Sequence, residues 1–457
     1  SFLQSSDALT IAANILNNTG ALLAVVRTGA AASAISSSNW NVNVGALNNN
    51  GGIVEKLSSG GLSLLGGAYS NSNGGSIVTT SDINFNAQNL SNNNAQIVGK
   101  QISILANSLT NTNGGRLQGD TVTANLTAGL NNAGGIVVTS KTNSAADTYS
   151  LNLTAAGLLN NTGGSLLTSD SLRVLAGTLN NTSGRILNLD SVTAPASSNW
   201  QIDASQITNT LGYIQKTNQG LLQLNGNGLL NQNAGVVATG GTLDLNLASV
   251  NNTLGLLAGS NIDVTGTSLT NNGGVLQGNN VALNLTGGLT NNSATGTNSN
   301  NATGTFAGVI SALADTVAGH VAALTLSVGG LFNNSGGQIQ TDAANVNITT
   351  TGMTNSTDGS IVHSGTGRLL LSVNNNALNN NQGLIFSAGT IDFANLASIT
   401  NSGGDVVALG NLNLSTSGTL NNSGGNIEAA LAYALSGASI DNTGGSITGL
   451  GAADSSV

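Results

Sequence analysis

Asp244 and Asp263 each lie six residues before the start of the next repeat in a chain that is repetitive throughout. Extended segments stacked at that period place one carboxylate above the other, about 5 Å apart. Two carboxylates so placed can share a proton or hold a calcium ion; as a solvated surface pair they only repel, by roughly a few tenths of a kcal/mol. Gln223 continues the column, and none of the nine basic residues joins it. Glycan-cleaving chemistry on a stacked-strand fold needs carboxylates converging with basic residues in a groove, whereas the sixteen Asp and two Glu are spread thinly. His320 and His363 have no partner at metal-ligand spacing and read as surface or turn residues. Trp40 and Trp200 could stack on sugars, but each opens a long segment beside an apolar strand, which favours packing. The Gly-Gly pairs, Gly114-Gly115 among them, resemble phosphate-cradling loops but lack the helix start and the lysine such loops require. The expectation is a protein without catalytic, metal-binding or cofactor-binding residues, and not an enzyme.

What positions these groups is a two-residue step from an apolar side chain to an asparagine, repeated nineteen times from Leu16 to Ile440. Its asparagines are Asn18, Asn49, Asn71, Asn92, Asn111, Asn132, Asn160, Asn181, Asn209, Asn231, Asn252, Asn271, Asn291, Asn333, Asn355, Asn380, Asn401, Asn422 and Asn442. Most neighbours are roughly 19 to 22 residues apart, the length of one solenoid turn. In the unit that begins at Leu109, Leu109 and Asn111 share a strand face, Gly114-Gly115 turns the chain, Leu117 marks a second strand, and Val122, Ala124 and Leu126 alternate along a third. The third pattern recurs as Ile102-Ser103-Ile104, Leu151-Asn152-Leu153 and Leu243-Asp244-Leu245. Three strands and three turns per coil, each strand pairing in parallel with its equivalents about 4.8 Å away, make an all-β, right-handed parallel β-helix of about nineteen coils. The asparagines are expected inside, each amide bonding to those of neighbouring coils and to the turn backbone as a structural ladder.

The spacings recur after seven coils, which divides a single solenoid domain, 1–457, into blocks 16–178, 179–352 and 353–457, the last truncated. Ser37-Ser38-Asn39-Trp40 then matches Ser197-Ser198-Asn199-Trp200, and Lys56 matches Lys216. Long coils should emit loops, and the largest insertion, 293–323, carries Val309, Ile310, Leu313, Val317 and Val321 at a spacing that suits a short amphipathic helix lying as a lid on the flank.

Composition narrows the partners. Charged residues make up 6% of the chain, so Asn, Ser and Thr must supply its hydration. A net charge of −9 with scattered basic residues offers no stripe for nucleic acid. The absence of cysteine excludes disulfides and thiolate sites, and no apolar run reaches the roughly 20 residues of a membrane span. The chain opens at Ser1 without a basic and apolar leader, so any export signal is expected to have been removed or to lie outside it.

The phrase Leu-Asn-Asn-Thr-Gly-Gly at Leu159 to Gly164, with variants at Leu130 to Gly135 and Leu420 to Gly425, resembles the haemagglutinin repeat of large Gram-negative exoproteins. That group includes filamentous haemagglutinin, contact-dependent inhibition effectors and biofilm-matrix adhesins. The resemblance covers nearly the whole chain and implies secretion by a two-partner route, through a dedicated outer-membrane transporter, to the cell surface. It implies a piece of the shaft of a fibrous adhesin: a rod about 90 Å long at 4.8 Å per coil that mediates adhesion, matrix or cell contact, or presents a distal effector. A polysaccharide or a cell-surface receptor is the expected partner. End-to-end self-association into a filament is an alternative, and a carbohydrate-active enzyme on the same fold is the rival class.

Overall fold

The computed structural model describes residues 2–5, 8–25, 38–140, 149–189, 198–315 and 321–449. Alternating apolar and polar side chains build strands throughout, and there is no helix among the described residues. The chain is a parallel β-solenoid of about twenty turns. Two compact units divide it, Ser1–Gly226 and Asn227–Val457, each contributing ten of the short strands described next.

A coil consists of one long strand and one short one. In the first unit Gln101–Thr112 is followed by Arg116–Gly119, then Thr121–Asn131 by Ile136–Thr139. Long strands pair in parallel with long strands (Ile102 with Val122, Leu109 with Leu130) and short with short (Leu117 with Val137). The three pieces expected per coil thus become two, because the closing piece of one repeat runs on into the opening of the next. The join survives as a bend, marked by a register shift between Ala106 and Ser108. Where glycine interrupts, as between Asn261–Gly266 and Ser268–Thr270, the two pieces stay separate.

Inward residues form columns along the stack. In the first unit Trp40, Leu62, Ile83, Ile102, Val122, Leu151, Leu172 and Trp200 follow one another in register. All are essentially inaccessible, and burying each large apolar side chain contributes about 1.5–3 kcal/mol. Both tryptophans are therefore core residues, as their sequence context indicates.

The insertion does not form the expected helix. Val309–Ala312 is a short strand seated between Val275–Gly278 and Gln338–Thr341, because Ile310 takes its place in the core column with Leu276 and Ile339. Ahead of it Ala294–Thr297 and Thr303–Phe306 form an antiparallel hairpin, tied by hydroxyl pairs Thr295–Thr305 and Thr297–Thr303. The hairpin does act as a lid. Gly296 approaches Leu254 so closely that a Cβ there would lie 2.3 Å from it, and Leu254 is 3% exposed, against 48% for Leu211 at the same turn position of the first unit. Val317 and His320 lie outside the described residues, as do 26–37, 141–148 and 190–197, where the other long-coil loops are expected.

Candidate functional site

The segment Leu159 to Gly164 shows what each residue of the repeat does. Leu159 fills the core at 0% exposure. Asn160 points outward, its Oδ1 accepting from the backbone N–H of Thr162 at 3.2 Å and from its hydroxyl at 2.6 Å, an Asx turn that fixes the corner. Asn161 turns inward, fully buried. Gly163 adopts φ +60° with open space around it, a conformation that costs other residues about 1–2 kcal/mol. Gly164 has a steric role: a Cβ would sit 2.0 Å from the carbonyl oxygen of Asn132 in the preceding coil. The first glycine is accordingly replaced at positive φ by residues such as Asn94, Ser183, Leu211, Ala234, Leu254, Asp358 and Gln382, while the second gives way only to Ala21 and Ala95.

Inside the corner each asparagine donates Nδ2–H to Oδ1 of the next coil at 2.7–2.8 Å. One run is Asn18, Asn49, Asn71, Asn92, Asn111, Asn132, Asn161, Asn181, Asn209 in the first unit. The other is Asn231, Asn252, Asn271, Asn291, Asn334, Asn355, Asn380, Asn401, Asn422, Asn442 in the second. The same Nδ2 reaches two backbone carbonyls, as Asn271 does with Gly274 at 3.1 Å and Val309 at 2.9 Å. The amide is thus a second donor to turn carbonyls that already accept a backbone N–H, as Gly274 does from Val309 at 2.8 Å, and it ties the corner to two coils at once.

Two members of the expected ladder are corrected. Asn160 and Asn333 are the outward Asx-turn residues, and Asn161 and Asn334 occupy the ladder. A step that starts at Leu158 or Leu331 starts from residues 48% and 70% exposed, whereas the core is filled by Leu159 and Phe332. The side chain that fits the apolar column sets the register, and its neighbour is flipped outward.

A second corner, at the end of the short strands, also carries buried polar residues that the sequence reading missed. They include Lys56, Thr79, Thr139, Thr168, Lys216 and His363. Lys56 donates to the Ser58 hydroxyl at 2.8 Å and to the carbonyl of Gly60; Lys216 donates to the carbonyls of Asn218, at 3.2 Å, and Gln219. Burial lowers both lysines, Lys216 from 10.5 to about 8 despite the opposing charge of Asp170. His363 is not at the surface: it is fully buried, bridging the Ser387 hydroxyl at 2.9 Å and the Ala343 carbonyl at 2.7 Å. The missed signal was the polar residue that closes many of the four-residue short strands, such as Ile53–Lys56, Tyr213–Lys216 and Ser360–His363.

Outside, Asp244 and Asp263 are register neighbours on adjacent long strands, as expected. Asp263 is raised above the usual carboxylate value, first by partial burial and then by Asp244. The next coil offers Ala282 in that column, and no cluster of three metal-ligating side chains occurs among the described residues. In the second unit Arg368 forms an ion pair with Asp392, which also accepts from Asn413 at 2.6 Å.

These features define a class, a parallel β-solenoid with an asparagine-laddered corner. Comparison with protein-family models, curated proteins and solved structures finds no match. No helix of the described residues is long and apolar enough to cross a membrane.

Proposed function

We propose that this chain is part of the shaft of a secreted, cell-surface adhesin of a Gram-negative bacterium, exported through a two-partner outer-membrane transporter. The observation that carries this reading is the asparagine ladder, unbroken within each unit: every coil repeats the same self-sufficient interior, so a coil adds reach without adding new chemistry. Two further properties support it. A chain without cysteine and with few charges threads a narrow pore unfolded, and condensation outside then proceeds coil by coil as each coil buries its apolar face on the last. The resemblance of Leu159 to Gly164 to the haemagglutinin repeat points the same way.

Beads coated with the purified chain test the reading, by their retention under flow on bacterial cells or extracellular matrix. Retention well above that of beads carrying the heat-unfolded chain is expected. Equal retention would remove the adhesive role.

A further inference from the structure

The outward face of the second unit is not uniform. Across the long strands Ala323–Asn333, Val346–Thr354, Arg368–Asn379 and Thr390–Thr400 lie two shallow clefts, of about 240 and 370 Å³. Thr325, Asn347, Arg368 and Leu370 line the first; Ser327, Thr349, Thr351, Asn374 and Asn395 line the second. Thr325, Asn347 and Leu370 are register partners, and so are Ser327, Thr349 and Ser372 two residues further along the same strands. The clefts are therefore consecutive stretches of one trough on one face. Its far lip is raised by the extra residues of Arg368–Asn379, where Asn374 and Asn375 take positive φ and the register shifts between Ser372 and Asn376.

The lining selects a kind of ligand. Its one cation, Arg368, is already neutralised by Asp392, so an anionic polymer finds no net attraction. These strands are paired on both sides, which denies an extended peptide the free edge it would need, and one half-buried leucine is too little to anchor an amphipathic helix. What remains is a row of hydroxyl and amide groups, the unused N–H groups of a fixed guanidinium, and one apolar platform. That set matches a neutral chain dense in hydroxyls, and the larger cleft, of about 370 Å³, falls within the range of about 300–1,000 Å³ usual for small-ligand sites.

We infer that this trough binds a segment of neutral polysaccharide, with Arg368, Asn347 and Thr349 bonding its hydroxyls and Leu370 under the apolar face of one ring. The inference rests on the adhesive reading and gives that reading a ligand class and an address. Arg368 acts as a fixed donor because Asp392 holds its Nε, so the pair works as a unit.

Calorimetric titration of the full chain with neutral oligosaccharides of two to eight residues, and with an acidic oligosaccharide as control, tests it. Binding of a neutral series that strengthens with length is expected. Arg368→Ala and Asn347→Ala should each weaken it at least tenfold, and Thr349→Trp, which fills the trough without removing a buried contact, should abolish it with the circular dichroism unchanged. Binding that survives all three variants would overturn the site. Binding of the acidic control alone would overturn the ligand class. If no glycan binds while coated beads still hold to cells, this inference fails and the adhesive reading stands; if the beads also fail, both are lost.

Discussion

Replacing a ladder asparagine by aspartate is nearly isosteric, and it should do more damage than replacing it by alanine. Asn271 accepts from Asn252 at 2.7 Å and turns its Nδ2 toward three oxygens, those of Asn291 Oδ1 at 2.8 Å, Val309 at 2.9 Å and Gly274 at 3.1 Å. Asn271→Ala deletes the amide and leaves the buried Asn291 Oδ1 without its ladder donor, at a cost of about 1–3 kcal/mol. Asn271→Asp keeps the acceptor but places a second oxygen against the same three oxygens. An ionised carboxyl there is a buried charge without a partner, costing about 3–5 kcal/mol at neutral pH. Protonated, it regains one donor. Its folded-state pKa is thus raised, so the folded chain holds a proton that the unfolded chain has released. Stability then falls as pH rises through that window and recovers in mild acid. Stacked repeats need not unfold in one step, so the assay is local: backbone hydrogen exchange in peptides spanning 250–312, compared with distant coils, at mildly acidic and neutral pH. Exchange that is equal in the two variants and indifferent to pH would refute a ladder with this donor direction.

Other expectations follow from the same geometry. Asn161→Ala should open its coil by about 1–3 kcal/mol, whereas Asn160→Ala loses a solvent-facing Asx turn worth about 1 kcal/mol or less; equal effects in local exchange would mean that the register correction is wrong. Lys216 is held at about 8 against the usual 10.5, so the folded chain binds fewer protons than the unfolded one between those values, and stability should rise with pH by about 3 kcal/mol across that range. Lys216→Met should flatten most of this rise in thermal melts, leaving the part due to Lys56; an unchanged slope would place the titration elsewhere. Asp263 is raised partly by Asp244, so Asp244→Asn should lower it in carboxyl-resolved NMR titration, and no movement would show burial to be the whole cause.

Much of this architecture is legible in the residues because a solenoid states its rule many times. The period, the parallel pairing, the inward tryptophans and the ladder all follow from alternation and recurrence. Legibility fails where two rules tie. Leu158-Leu159 and Leu331-Phe332 each offer two apolar candidates for one core position, and local pattern cannot choose between them; the column above and below does. The spacing of Val309, Ile310 and Leu313 fits a helix as well as a strand until the neighbours Leu276 and Ile339 claim Ile310. The buried lysines were hard to read for a different reason. A lysine closing a short strand resembles a solvated end, and only the ring of turn carbonyls around its ammonium makes burial tolerable. The trough was invisible because its lining is assembled from four consecutive long strands and shaped by a bulge.

The most direct test of the account is side-chain amide exchange, by NMR on a chain labelled with nitrogen-15 at asparagine. The eighteen buried ladder asparagines should give Nδ2 protons that exchange orders of magnitude more slowly than those of Asn160 and Asn333. Asparagine amides that all exchange at the solvent rate would mean that no ladder forms, and the stacked-coil interior on which the proposed shaft depends would fall with it.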